Sequence, residues 1–171
     1  MSIARHHAEW LSLVEVSGPF LSMPVLLEAF AQGLEAHDPD HHRLLRLAHD
    51  EWKARADDPA THNAWVRFVL RKTLAFAPEA LLEGQAVPRT LHAEVAEQHE
   101  ILRPDPVLKE PASSKPRLLI QVYPLTQELT KPAPGLSWKA SPDTRMIELL
   151  HATGVRLGLV TNGERWMLVD A

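Results

Sequence analysis

The sequence predicts an α+β fold in which a helical N-terminal part, residues 1–87, precedes a mixed β-sheet with β-β-β-α-β-β order over residues 88–171. Three observations predict it. The first ~80 residues carry apolar side chains at helical spacing, broken by Pro and Gly. Near Pro88 the texture changes to short apolar runs separated by Pro, Ser and Gly. The last third then places an apolar strand, a capped helix and two strands around Asn162-Gly163, in that order.

Each element has its own signal. "HAEWLSLVEVSG" sets Trp10, Leu11, Leu13 and Val14 at helical spacing and stops at Gly18-Pro19. In "SMPVLLEAFAQGL", Ser22 is the cap and Pro24 occupies the first turn. "DPDHHRLLRLAHDEWKARA" aligns Leu44, Leu47 and Trp52 as a stripe. "DPATHNAWVRFVLRKTLAF" repeats the start device with Asp58 and Pro59, and buries Trp65, Phe68, Val69 and Leu74. "TLHAEVAEQHEILRPDPVL" alternates, which predicts a strand, a turn at Gln98-His99 and a second strand running to Pro104-Asp105. "PASSK" is a loop. "RLLIQVYP" is apolar on both faces and so reads as a central strand. "SPDTRMIELLHATG" is a helix capped by Ser141 and stopped by Gly154, and "VRLGLVTNGERWMLVDA" is a hairpin. Because the sequence ends on a strand, the natural polypeptide is expected to continue.

Composition bounds the function. The chain of 171 residues is 45% hydrophobic and 23% charged, the balance of a globular domain. It holds no cysteine, so thiolate chemistry, disulfides and Cys-based zinc sites are excluded. No signal peptide and no membrane-length apolar run is legible, and a cytoplasmic location is expected. The net charge is −4, against a generic nucleic-acid binder. Residues 1–110 hold 11 basic and 17 acidic residues, net −6, whereas residues 111–171 hold 7 and 5, net +2. A phosphate-facing surface is therefore expected in the C-terminal third.

One constellation could carry chemistry. Strand alternation puts Leu119, Gln121 and Tyr123 on one face of "RLLIQVYP". A hairpin would bring Asp105 beside Gln121 and Tyr123. A Mg²⁺-dependent phosphodiesterase needs two carboxylates for the metal and a Lys near the attacking water, all in one cleft. Lys131, Trp138 and Lys139 sit near one another in a loop, where an aromatic ring and cations suit a nucleic-acid strand. "HDPDHH" at 37–42 reads as a helix start rather than a metal site, and His62 is expected at the solvent. Asn162-Gly163 is turn chemistry.

The "RPD", the apolar strand and "SPDTRMIELLHATGVRLGLVTNGERWMLV" together resemble the N-terminal PD-(D/E)XK nuclease-like region of large type IIG-like restriction–modification and phage-defence proteins. The "TNG-x-x-W" hairpin after a helix is the most specific part, and the resemblance covers residues 1–171. It implies a restriction-endonuclease-like fold, a DNA substrate, and a methyltransferase further along the polypeptide or in a partner subunit. It places Asp105 as the first nuclease acid. Gln121 then stands where the second acid belongs and Tyr123 where the lysine belongs. Gln offers no charge, and Tyr, with an ordinary pKa of roughly 10, replaces Lys poorly. A catalytically degenerate domain that engages DNA or a partner is the expectation. Two alternatives remain open. One is an active Mg²⁺-dependent endonuclease with a rearranged site, using Lys139 or Lys115 for the lysine and Glu94 or Glu100 for the acid. The other is a generic α+β interaction module. No cofactor is expected unless the nuclease site works, when it would be Mg²⁺. The Asn-Pro-Pro-Tyr-like and glycine-rich methyltransferase motifs are absent. Oligomeric state is left open.

Overall fold

The computed structural model describes residues 2–18, 21–33, 38–135 and 137–171, and among them are five α-helices, a five-stranded mixed sheet and a two-stranded one. Two compact units are distinguished, Met1–Asp40 and His41–Ala171.

The first unit contains α1, Ile3–Leu11, and α2, Met23–Ala29. Leu26 is buried, and so is His7, whose Nε2 lies 3.2 Å from the Phe30 carbonyl oxygen. Leu13, placed in the helix by its spacing, lies beyond the end of α1 and is 82% exposed.

In the second unit the strands are β1 (Leu81–Leu82), β2 (Ala93–Val95), β3 (Glu100–Leu102), β4 (Val107–Lys109), β5 (Pro116–Val122), β6 (Leu157–Thr161) and β7 (Trp166–Asp170). The large sheet runs β1-β4-β5-β6-β7, antiparallel except for the parallel β5–β6 pair. A parallel pair needs a crossover, and α5, Pro142–Thr153, supplies it. The chain carries five strands before α5 and two after it, where three and two were expected; this sheet by itself, without the β2–β3 hairpin and with β1 from before residue 88, reads β-β-β-α-β-β. The alternating segment predicted to lead into it forms a separate hairpin, β2–β3, turned through His99 at φ +52°. Its place is taken by β1 and by β4. At two residues β1 is too short for an alternation signal to register.

Both faces of the sheet are covered, which explains why β5 is apolar on both sides. Leu119 and Val160 pack with Met146, Leu149 and Leu150 of α5, and with Ala93 and Leu102 of the hairpin. On the opposite face Leu118, Ile120 and Leu159 pack with residues of α3 (Pro39–Lys53), of α4 (Pro59–Phe68) and of the π-helical turn Val69–Thr73. Each fully buried Leu contributes about 1.5–3 kcal/mol of transfer free energy. Gly158 lets α5 approach β6 directly: a Cβ there would lie 2.5 Å from Met146 Cγ and Sδ.

The division between units falls at Asp40, whereas the sequence changes texture near Pro88. The helices α3 and α4 share their core with the sheet, so composition and packing divide the chain at different places. The α3 stripe is also rotated from expectation. Leu44 and Leu47 are 53% and 57% exposed, while Leu45, Ala48 and Trp52 face the sheet.

Candidate functional site

The backbone brings Asp105 beside Gln121, in an isolated parallel bridge outside the β4–β5 ladder. Asp105 N–H donates to the Ile120 carbonyl at 2.9 Å, Ile120 N–H donates to that of Pro106 at 3.0 Å, and Asp105 and Gln121 form a β-bridge. The side chains take different partners. Asp105 is exposed, and its Oδ1 accepts the Gly84 N–H at 3.1 Å.

Gln121 is 8% exposed and points to the α5 side. Its Nε2 donates to the Arg103 carbonyl and its Oε1 accepts the Tyr123 hydroxyl, both at 3.2 Å. Burial pushes the Tyr123 phenol above its ordinary pKa of 10.0, with the nearby Arg145 guanidinium acting in the opposite sense.

Arg145 of α5 forms a two-pronged ion pair with Glu100 of β3. Their side chains are only 7% and 17% exposed. The Arg145 hydrogen bond holds the Glu100 carboxyl below its ordinary 4.5, against an opposing effect of burial. Burial opposes the charge of Arg145, and the bonds to Glu100 outweigh it, so its pKa is raised. The guanidinium lies 5.5 Å from the centre of the Trp138 ring, and Trp138 N–H approaches Glu100 Oε2 at 3.4 Å. Charge, aromatic face and hydrogen bonds thus converge on Arg145, which no sequence signal marked.

The other predicted residues are scattered. Trp138 is half-buried against the α5-side core, so its ring is committed to packing. Lys131 pairs with Glu128 at 2.9 Å. Lys139 and Lys115 are exposed. Glu94 is exposed and lies 3.5 Å from His92. Glu100, one of the substitute acids, faces Arg145 instead of Asp105. Among the described residues no group of three or more His, Asp or Glu could hold a metal ion. His37, part of "HDPDHH", lies outside the described residues.

Two clefts meet at Gly84 and Asp105. One, of about 650 Å³, runs along residues 84–91 and 103–105. The other, of about 440 Å³, lies between α4 and the sheet and includes Asn63, Arg67, Glu83 and Val122. Glu83 is bound there by Arg67 and Arg71 at 2.8 and 3.1 Å.

The "TNG-x-x-W" hairpin has a structural purpose. Thr161 Oγ1 accepts the Gly163 N–H, and Asn162 Oδ1 accepts those of Glu164 and Arg165, closing a four-residue loop rather than a two-residue turn. Asn162 Nδ2 also donates to the Leu125 and Gln127 carbonyls and ties down the chain after β5. Gly163 sits against a buried aromatic group: Trp65 Nε1 donates to its carbonyl at 2.7 Å. His62, expected at the solvent, belongs to this group and is 7% exposed. The Trp52 indole can only donate, so His62 Nδ1 accepts it at 3.2 Å, and Nε2–H donates to the Tyr123 carbonyl at 3.0 Å. No helix of the described residues is long and apolar enough to cross a membrane.

Comparisons with family models, with curated proteins and with solved structures returned no match.

Proposed function

We propose that this chain is a nuclease-like domain of a DNA restriction or defence protein whose cleavage chemistry has been lost, and that it engages DNA or a partner such as a methyltransferase part. The observation that carries the reading is the fate of Gln121 and Tyr123. They occupy the positions of the second acid and the lysine, yet they hydrogen-bond each other and the Arg103 carbonyl, in the interior beside the Glu100–Arg145 pair. A metal site needs carboxylates facing a cleft. Here the cleft keeps Asp105, and the other two positions stabilise the fold. The β-β-β-α-β-β sheet and the Asp105–Gln121 bridge support the nuclease-like frame.

The test is incubation of plasmid and phage DNA with the protein and Mg²⁺ or Mn²⁺. The expected outcome is intact DNA. Cleavage that disappears in Asp105→Ala would overturn the proposed loss of chemistry. Salt-dependent retention of DNA by the protein at low ionic strength supports engagement.

A further inference from the structure

We propose that the cleft along residues 84–91 and 103–105 binds one nucleotide unit of a single nucleic-acid strand, with its phosphodiester on Arg89 and Arg103 and its base on an apolar floor. This rests on the reading that the chain engages nucleic acid, and it moves the contact away from the Lys131–Trp138–Lys139 loop.

Charge is the first reason. Among the described residues, Arg5, Arg55, Arg67, Arg71, Arg117, Arg145 and Arg156 stand in ion pairs with Asp or Glu, which leaves them little to offer an anion. Arg89 and Arg103 have no acidic partner among the described residues. Both are exposed and both line this cleft. Arg103 Nη1 donates to the Arg89 carbonyl at 3.2 Å, which holds its guanidinium over the Arg89 backbone while its other N–H groups stay available. A guanidinium fixed this way matches two phosphate oxygens at once. By contrast, Lys131 in the loop is already paired with Glu128, and the Trp138 ring is packed on the core.

The floor is the second reason. Val87, Pro88, Leu91 and Pro104 line the same cleft, and Leu91 and Pro104 are buried. Apolar surface between two cations suits the flat face of a base with its phosphate. The volume of about 650 Å³ falls in the small-ligand range of roughly 300–1,000 Å³. A duplex keeps its bases paired and stacked inside, so an unpaired strand is the form that can lay a base there.

Among the described residues Asp105 is the one acid in the lining, and its carboxylate is positioned by the Gly84 N–H. It opposes a phosphate on the two arginines, which gives the proposal a substitution that should tighten binding.

The experiment is fluorescence anisotropy of the full chain with a labelled thymidine oligonucleotide, a matched duplex and free thymidine monophosphate across a salt series. The oligonucleotide should bind most tightly. Arg89→Ala/Arg103→Ala should weaken it on the order of 10–100-fold at low salt and reduce the slope of log affinity against log salt by roughly 1.4, about 0.7 for each phosphate contact on a single strand. Lys at both positions should restore the slope. Asp105→Asn should tighten binding, and Lys131→Ala/Lys139→Ala should leave it unchanged. Because both arginines are exposed, circular dichroism and the melting temperature of the double variant should match the parent.

If the parent binds the strand and the double Ala variant binds equally well, the cleft assignment is wrong while nucleic-acid engagement stands. If the parent binds neither strand nor duplex at low salt, both fail. Preference for duplex, or binding of the monophosphate as tightly as the oligonucleotide, would overturn the single-strand assignment.

Discussion

Replacing Gly163 by Ala perturbs the hairpin at the point where it meets the aromatic core. Two separable costs follow from the geometry. The residue has φ +84°, where an L side chain crowds its own carbonyl, at about 1–2 kcal/mol. The added Cβ would also lie 2.8 Å from His62 Cε1 and 2.9 Å from Trp52 Cζ2. Neither ring can give way easily, because His62 is bonded on both nitrogens and Trp52 stacks on Trp65 with centroids 5.4 Å apart. Overpacking of this kind costs about 1–3 kcal/mol. The expected total is about 2–5 kcal/mol, a fall in Tm of roughly 2–4 °C per kcal/mol for a chain of this size. Gly154→Ala is the control. Gly154 has φ +68° and nothing within 4 Å of an added Cβ, so it carries only the backbone cost. Urea unfolding followed by tryptophan fluorescence measures both variants. If Gly163→Ala loses no more stability than Gly154→Ala, the aromatic contact does not constrain the hairpin and the reasoning is refuted.

The remaining predictions concern the ion pair, the histidine and the surface. The Glu100 carboxyl titrates below its ordinary 4.5, so the stability from its pair with Arg145 is complete above that value and is lost as pH falls through the depressed one. Glu100→Gln should flatten that acid limb in urea titrations between about pH 5 and pH 2 and cost about 3–5 kcal/mol at neutral pH, because Arg145 stays buried without its partner; an unchanged acid limb would count against it. His62→Ala should cost about 1–3 kcal/mol for the orphaned Trp52 N–H alone, before any cavity term, read as a lowered urea midpoint. Leu44→Ser and Leu47→Ser should stay within about 0.5 kcal/mol of the parent, whereas Leu149→Ala should lose about 2–5 kcal/mol, a contrast that thermal melts resolve.

What the sequence made legible follows from which signals are local. The crossover helix α5 carried a start at Ser141-Pro142 and a stop at Gly154, and β5 carried a run of apolar residues long enough to need two covered faces. The nearness of Asp105 to Gln121 was also legible, since Asp105 stands just before β4 and β4 pairs with β5. What stayed hidden depends on distant partners. Strand β1 has two residues and exists because β4 lies beside it. The α3 stripe was misplaced because Leu44-Leu45 and Leu47-Ala48 offer two overlapping faces, and only the position of the sheet chooses between them. His62 looked exposed because it stands in a first turn, yet Trp52 and Tyr123 surround it from elsewhere in the chain. Arg145 gave no warning because an Arg on a helix is normally solvated, and its acid lies 45 positions away.

Tyr123 ties these observations together. Its carbonyl is held by His62 of α4, and its N–H donates to the Thr161 carbonyl of β6 at 2.8 Å. Its hydroxyl reaches across the other face to Gln121, and Gln121 reaches Arg103, the residue that follows the β2–β3 hairpin. One residue therefore joins the aromatic layer, the sheet and the polar layer under α5. A lysine at this position would bring a cation next to the buried Arg145 guanidinium and would lose the hydroxyl that satisfies Gln121. The surroundings have been fitted to a neutral residue, so Gln121 and Tyr123 cannot be exchanged for an acid and a lysine without rebuilding Glu100, Arg145 and Trp138 as well. Packing on both faces of β5 thus holds Gln121 and Tyr123 as a neutral, mutually bonded pair.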